Sequence, residues 1–222
     1  MFRDPSRLTR WMVALTCLWL LGSLGQAALY LHRISVLKGF DSDVAPDILA
    51  QAIEGAEAAN SGLILLTILY HIVFFRWVYV VNRNAQQWSD SMTISPGWNV
   101  GWFFVPVAAL WKPFEGIRET RGASIAPEDP ISVAVPGWLN LWWGLWIVAT
   151  IQGNILAIFL DMPETPEQWI SVSWANAASI VIDVPLALLT CRLLTDIAKL
   201  QRARIATQHA GLMEFHAPSS SA

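Results

Sequence analysis

The chain has 222 residues, 55% of them hydrophobic and only 14% charged, with a formal net charge of -3. Soluble domains carry about 25% charged residues, so a soluble globule and a disordered chain are both poor fits. The acidic balance gives no basic field for a nucleic-acid backbone, and 13 Trp suit membrane–water interfaces. This is the composition of an integral membrane protein.

A helix needs about 20 mostly apolar residues to cross the hydrocarbon core. The first such run, 11–31, is apolar apart from Thr16, Ser23, Gln26 and Tyr30. Arg3, Arg7 and Arg10 precede it like the basic start of a signal peptide. A signal core is about 7–15 residues, however, and this run is longer, so an uncleaved anchor is expected. The second run, 62–82, carries His71 and Arg76. Its polar approach over 46–60 places Ile48, Leu49, Ala52, Ile53 and Ala56 at helical spacing and is expected to extend the helix beyond the membrane. The third run, 137–160, has no charge, and the fourth, 172–194, contains Asp183 and Arg192. Cys17 and Cys191 lie inside apolar runs and read as small apolar residues, not as a disulfide or metal ligands. The expected organisation is one membrane domain over 1–208 and a disordered tail over 209–222.

A further apolar stretch, 96–111, is the informative one. As a helix it would reach only about 24 Å, against a core of about 30 Å. Pro106 interrupts it and Lys112-Pro113 closes it. If it does not cross, all of the 14 Lys and Arg except Arg33 and Lys38 fall on one side; if it crosses, they divide far more evenly. The positive-inside rule therefore favours four spans with both termini cytoplasmic. The fold class expected is an all-α bundle of four transmembrane helices, with a Trp-rich re-entrant or interfacial segment at 96–111 between the second and third. Trp98, Trp102, Trp111 and Trp138 would mark the inner interface, and Trp169 and Trp174 the outer one. Trp142, Trp143 and Trp146 run deeper and are expected to pack against the 96–111 segment.

The central residues stand in a recognisable order: Arg76-Trp77, Asn82, Ser95-Pro96-Gly97-Trp98, Gly101-Trp102-Phe103-Phe104-Val105-Pro106, Leu110-Trp111-Lys112-Pro113, and Arg118-Glu119. Over about 60–200 the chain resembles a bacterial membrane family designated domain of unknown function 4328. Two positions depart from the pattern: Ala109 stands where an Asn is expected, and Thr120-Arg121 replaces an aromatic. The resemblance implies a multi-span protein of the bacterial inner membrane and implies no reaction. Its motif residues are Pro96, Gly97, Trp98, Gly101, Trp102, Pro106, Trp111, Lys112 and Pro113.

Polar residues recur at helical spacing along the spans. The clearest stripe is Ser173, Asn176, Ser179, Asp183 and Thr190. Such stripes serve either interhelical hydrogen bonds, worth about 0.6 kcal/mol each, or a polar cavity for a ligand or ion. Asp183 stands out, since a bare carboxylate at the bilayer centre costs about 2.5–3.5 kcal/mol even on the gentlest scale. Counted at helical rise from the outer ends, His71 lies about 15 Å deep, Asp183 about 20 Å and Arg76 about 22 Å. Either Asp183 pairs with Arg76 and fixes how two helices dock, or it forms a proton-sensitive or ligand-binding pair with His71. In a third reading Arg76 reaches inward and Asp183 stays protonated. Asp183, His71, Arg76 and Asn176 are the candidate ligand residues.

No metal-ligand spacing, phosphate-binding loop or nucleophile set is readable. A second histidine at suitable depth for bis-His haem is lacking, so no cofactor is expected. The leading function is a non-enzymatic membrane module that binds lipid, a protein partner or a second copy of itself, and no nucleic acid. The alternatives are a small transporter or channel-like protein using Pro106 and Asp183/His71, and an interfacial lipid-modifying enzyme. The last would draw on Glu115, Arg118 and Glu119, which otherwise read as a solvated helix face.

Overall fold

The structure is a computed structural model that describes residues 3–39, 46–159, 163 and 165–216. Among these residues there is no β-strand. Helix α1 (Ser6–Lys38) is followed by α2 (Pro46–Ala85), whose 40 residues include the polar approach expected to be helical. A broken stretch then opens with α3 (Pro96–Gly101) and leads into α4 (Lys112–Ile125). Helix α5 (Gly137–Phe159) covers the third apolar run almost residue for residue. Helices α6 (Pro166–Ala178) and α7 (Ile180–His216) complete the chain.

Three helical stretches, Ser6–Lys38, Glu54–Ala85 and Pro166–Gln208, are long and apolar enough to cross a membrane. The last is not the plain span expected over 172–194. It breaks at Ser179, where the N–H of Ser179 bonds to Asn176 O (3.2 Å) and that of Ile182 to Ser179 O (2.8 Å), a tightened turn. The Ser179 hydroxyl also donates to Asn176 O (2.6 Å). Pro185 follows inside α7, with no N–H to give the turn before it. At the other end α7 continues through His216, so residues 209–216 are helical where a disordered tail was expected. Helix formers such as Ala210, Leu212, Met213 and Glu214 carry it, and the first proline after them is Pro218. Residues 217–222 of that tail, and Leu160 of the third run, lie outside the described residues.

The chain gathers into two compact units. Unit one holds Met1–Val13, Val73–Pro136 and Arg192–Ala222; unit two holds Ala14–Ile72 and Gly137–Cys191. The partition sorts the charges: of the 14 Lys and Arg, only Arg33 and Lys38 belong to unit two. Unit one is held by polar side chains between helices. Asn84 donates to Gln201 Oε1 (3.0 Å), and Gln201 donates to Val81 O (2.8 Å). Arg121 pairs with Asp196 (2.8 Å), and the Trp77 indole donates to Thr9 Oγ1 (2.9 Å).

In unit two the polar stripes bind helix to helix. Trp19 donates to Thr67 Oγ1 (2.9 Å), Gln26 to Ala56 O (3.0 Å), and Trp142 to Thr190 Oγ1 (3.0 Å). Trp142 is buried and Trp143 nearly so, with Trp143 stacked on Trp146 at 4.7 Å between centroids. The bond to Thr190 gives Trp142 a partner in α7, where the sequence had pointed to the 96–111 segment.

Candidate functional site

The motif residues build one junction in unit one. Ser95 caps α3 by accepting from Trp98 N (3.4 Å), and Pro96 supplies a first helical residue whose missing N–H would be unpaired anyway. This turns Asn99 inward, where it is fully buried against Gly116 of α4. A Cβ at Gly116 would overlap the Asn99 amide, lying 2.6 Å from its Cγ. Three residues on, the buried Glu119 carboxylate accepts the N–H of Thr93 (3.0 Å), the N–H of Ile94 (3.1 Å) and the Thr93 hydroxyl. Asn82 of α2 donates to Thr120 Oγ1 (3.1 Å), which donates to Gly116 O (2.7 Å). Thr120 and Arg121, the departures from the expected pattern, are thus both engaged, the latter by Asp196.

Glu119 was expected on a solvated face. Its neighbours explain the difference: two loop N–H groups with no helical partner bring the carboxylate inside, and charge-assisted bonds repay its dehydration. Glu115 does stay half-exposed, paired with Lys112 (2.7 Å). Both polar atoms of the Asn99 amide, Oδ1 of Asn82 and Nε of Arg118 are buried with no hydrogen-bond partner among the described residues. The junction therefore carries open hydrogen-bonding capacity beside a carboxylate that accepts three bonds.

The stretch after α3 is irregular, as Pro106 requires. A tight turn at Trp102–Phe104 gives way to Val105, Pro106 and Val107, and a second covers Ala108–Leu110. Val107 has φ 65° and ψ -57°, with Ala108 N bonded to Pro106 O (2.7 Å). That is a γ-turn of the rare, strained kind, held here by a β-branched residue. The N–H groups of Val105, Ala109, Leu110 and Trp111 all find carbonyls within the stretch. Phe103 and Phe104 pack on Phe75 of α2, with centroids at 5.2 and 5.1 Å, and Trp98 lies on Trp102 at 4.7 Å. The outer side chains are apolar and exposed: Trp98 56%, Phe104 69%, Val107 68%, Leu110 46% and Trp111 44%. Gly97 and Pro106 are exposed too, while Pro113 is buried at the start of α4.

Each intramembrane candidate takes partners within its own unit. Asp183 is half-buried in unit two and accepts a hydrogen bond from the buried Ser23 of α1. Arg76 belongs to unit one, is exposed, and joins no ion pair found among the described residues. His71 binds Thr67 O through Nδ1 (2.8 Å) and sets its ring edge-on to Tyr70 at 5.3 Å. Asn176 donates to Val172 O (2.9 Å) one turn back.

The residue that sequence reasoning missed is Arg33. It is fully buried in unit two, donating to Ser173 Oγ (2.8 Å) and to Glu57 (3.1 Å), and its guanidinium lies over Tyr30 (4.9 Å) and Trp169 (4.6 Å). Arg suits such a place because its flat cation stacks on rings while its fork binds acceptors. The pairing of Tyr30 and Arg33 at helical spacing was the available signal.

Among the described residues no group of three or more His, Cys, Asp or Glu is placed to hold a metal ion. These observations define a helical protein with three helices able to span a bilayer and a polar, Trp-flanked junction. The family model described as domain of unknown function (DUF4328) matches residues 41–199, and the chain belongs to that family. No curated protein and no solved structure matches the chain.

Proposed function

We propose that the chain is a non-enzymatic integral membrane module of four spans in a bacterial inner membrane. Both termini face the cytoplasm, and the 96–111 segment beds in the inner leaflet to bind lipid. The observation that carries this reading is the exposed apolar edge Trp98–Phe104–Val107–Trp111 on an irregular backbone whose Val105, Ala108, Ala109, Leu110 and Trp111 N–H groups are bonded within the stretch. Irregular backbone tolerates a membrane only where its polar groups are already bonded. The orientation draws support from the sorting of cations, since the unit that holds both chain ends also holds the 96–111 segment and every Lys and Arg but two. Helix α5, uncharged over its 23 residues, would be the fourth span.

A spin label at Val107→Cys, in a Cys17→Ala/Cys191→Ala background reconstituted in liposomes, tests the reading. Relaxation by oxygen with little relaxation by a water-soluble nickel chelate is expected. Strong relaxation by the nickel chelate would refute bilayer contact. A label silent to both would mean a protein partner, or a second copy, covers the segment.

Transport is the second reading, favoured by one observation: the Ser179 break and Pro185 bracket Asp183 in a span. Broken helices line the midplane sites of many transporters. A proton-flux assay in liposomes, with Asp183→Asn as control, separates it from the first. An enzyme at the inner interface is less well served, because the Glu119 oxygens are already occupied by Thr93 and Ile94.

A further inference from the structure

A second site lies within unit one, away from the motif junction. The start of α1 and the stretch 195–202 of α7 line an open surface groove of about 450 Å³, within the usual range of ligand pockets, about 300–1,000 Å³. Arg10, Lys199 and Arg202 line it, with the hydroxyls of Ser6 and Thr9 and a single carboxylate, Asp4. None of the three cations joins an ion pair found among the described residues. Asp4 is already committed: its Oδ1 accepts both the N–H (2.9 Å) and the hydroxyl (2.6 Å) of Ser6. Those bonds, with Arg202 and Arg10 nearby, hold its carboxyl below the usual range. The groove thus has two positive charges in excess, on two helices, facing a common space.

Two Arg forks and a Lys suit an anion with several oxygens spread over a tetrahedron better than a flat carboxylate. The neighbouring surface is apolar, since Trp11, next to Arg10, is 61% exposed, and an indole beside basic residues is the usual furniture of the headgroup layer. We infer that the groove lined by Arg10, Lys199 and Arg202 binds a phosphate group, supplied by the headgroup of an anionic membrane lipid. Free phosphate is the other source of the same chemistry. The headgroup assignment rests on the inner-leaflet orientation proposed above; the phosphate chemistry does not.

The test uses the full chain in phosphatidylcholine nanodiscs, with and without phosphatidylglycerol, and native mass spectrometry after release. The wild type should retain phosphatidylglycerol in preference to phosphatidylcholine. Each removed cation should weaken retention about fivefold, so Lys199→Gln/Arg202→Gln should lose roughly 25-fold. Arg83→Gln, exposed and outside the groove, should change nothing, and Asp4→Asn should strengthen retention. Inorganic phosphate titrated into lipid-free micelles gives the second arm. Binding there that depends on Lys199 and Arg202, without lipid preference, supports the phosphate site and assigns it to a soluble anion. Equal losses from Arg83→Gln and the double variant, or no cation dependence in either arm, would overturn it. The Val107 label is unaffected by these variants, so failure of this inference and failure of bilayer contact remain separable.

Discussion

Gly116 and Asn99 offer the sharpest test of the motif junction. Replacing Gly by Ala inside a helix normally stabilises by about 1 kcal/mol. At Gly116 the new methyl would overlap the amide of Asn99, which is fully buried and has no solvent to move into. Overpacking of this kind costs about 1–3 kcal/mol, so Gly116→Ala should come out destabilised by about 1 kcal/mol. In an Asn99→Ala background the obstacle is gone, and the same change should regain its usual benefit. The coupling between the two sites should therefore reach about 1–3 kcal/mol. Asn99→Ala alone removes two buried polar atoms that have no partner among the described residues, so it should cost little. Gly122 is the contrast: its Cβ would overlap the backbone carbonyl of Pro130, with Pro130 C at 2.9 Å. No side-chain substitution should rescue Gly122→Ala. Unfolding followed by the fluorescence of the 13 Trp in detergent measures all four proteins. Gly116→Ala stabilising equally in both backgrounds would refute the reasoning.

Three further outcomes follow from the same geometry. Glu119→Ala strips three charge-assisted bonds and leaves the N–H groups of Thr93 and Ile94 unpaired; a loss of about 3–5 kcal/mol is expected, and Glu119→Gln should keep part of it. Asp4 titrates below the ordinary carboxylate range because Ser6 donates to its charged form; its help to the start of α1 is present at and above that range and is lost as pH falls through the depressed value. Amide exchange at Ser6 should accelerate in that acid window, and Asp4→Asn should abolish the dependence. The thiols of Cys17 and Cys191 are neighbours in unit two, so copper–phenanthroline should couple them into an intramolecular disulfide, visible as faster migration without reductant. A chain that stays fully reduced, or crosslinks only between molecules, would contradict that packing.

Much of this protein is written in local composition. Runs of about 20 apolar residues announce α1, α2 and α5, and Pro106 breaks the 96–111 stretch, because helix length and proline sterics act within a few residues. The Ser95-Pro96 start of α3 is legible for the same reason: a cap and its N–H are three residues apart. What the tertiary structure decided is which side of each helix meets which neighbour. Depth arithmetic offers Asp183 the partners Arg76 and His71 and is silent on hydroxyls; within unit two the fold brings the Ser23 hydroxyl of α1 to Asp183. Glu119 reads as solvated along its own helix and becomes buried only when the loop at Thr93–Ile94 brings it two orphan N–H groups. Arg33 is buried because Tyr30, Glu57, Trp169 and Ser173 arrive from three helices. Burial of a charge depends on partners distant in the chain, and hydrogen bonds of such separation leave no period in the sequence.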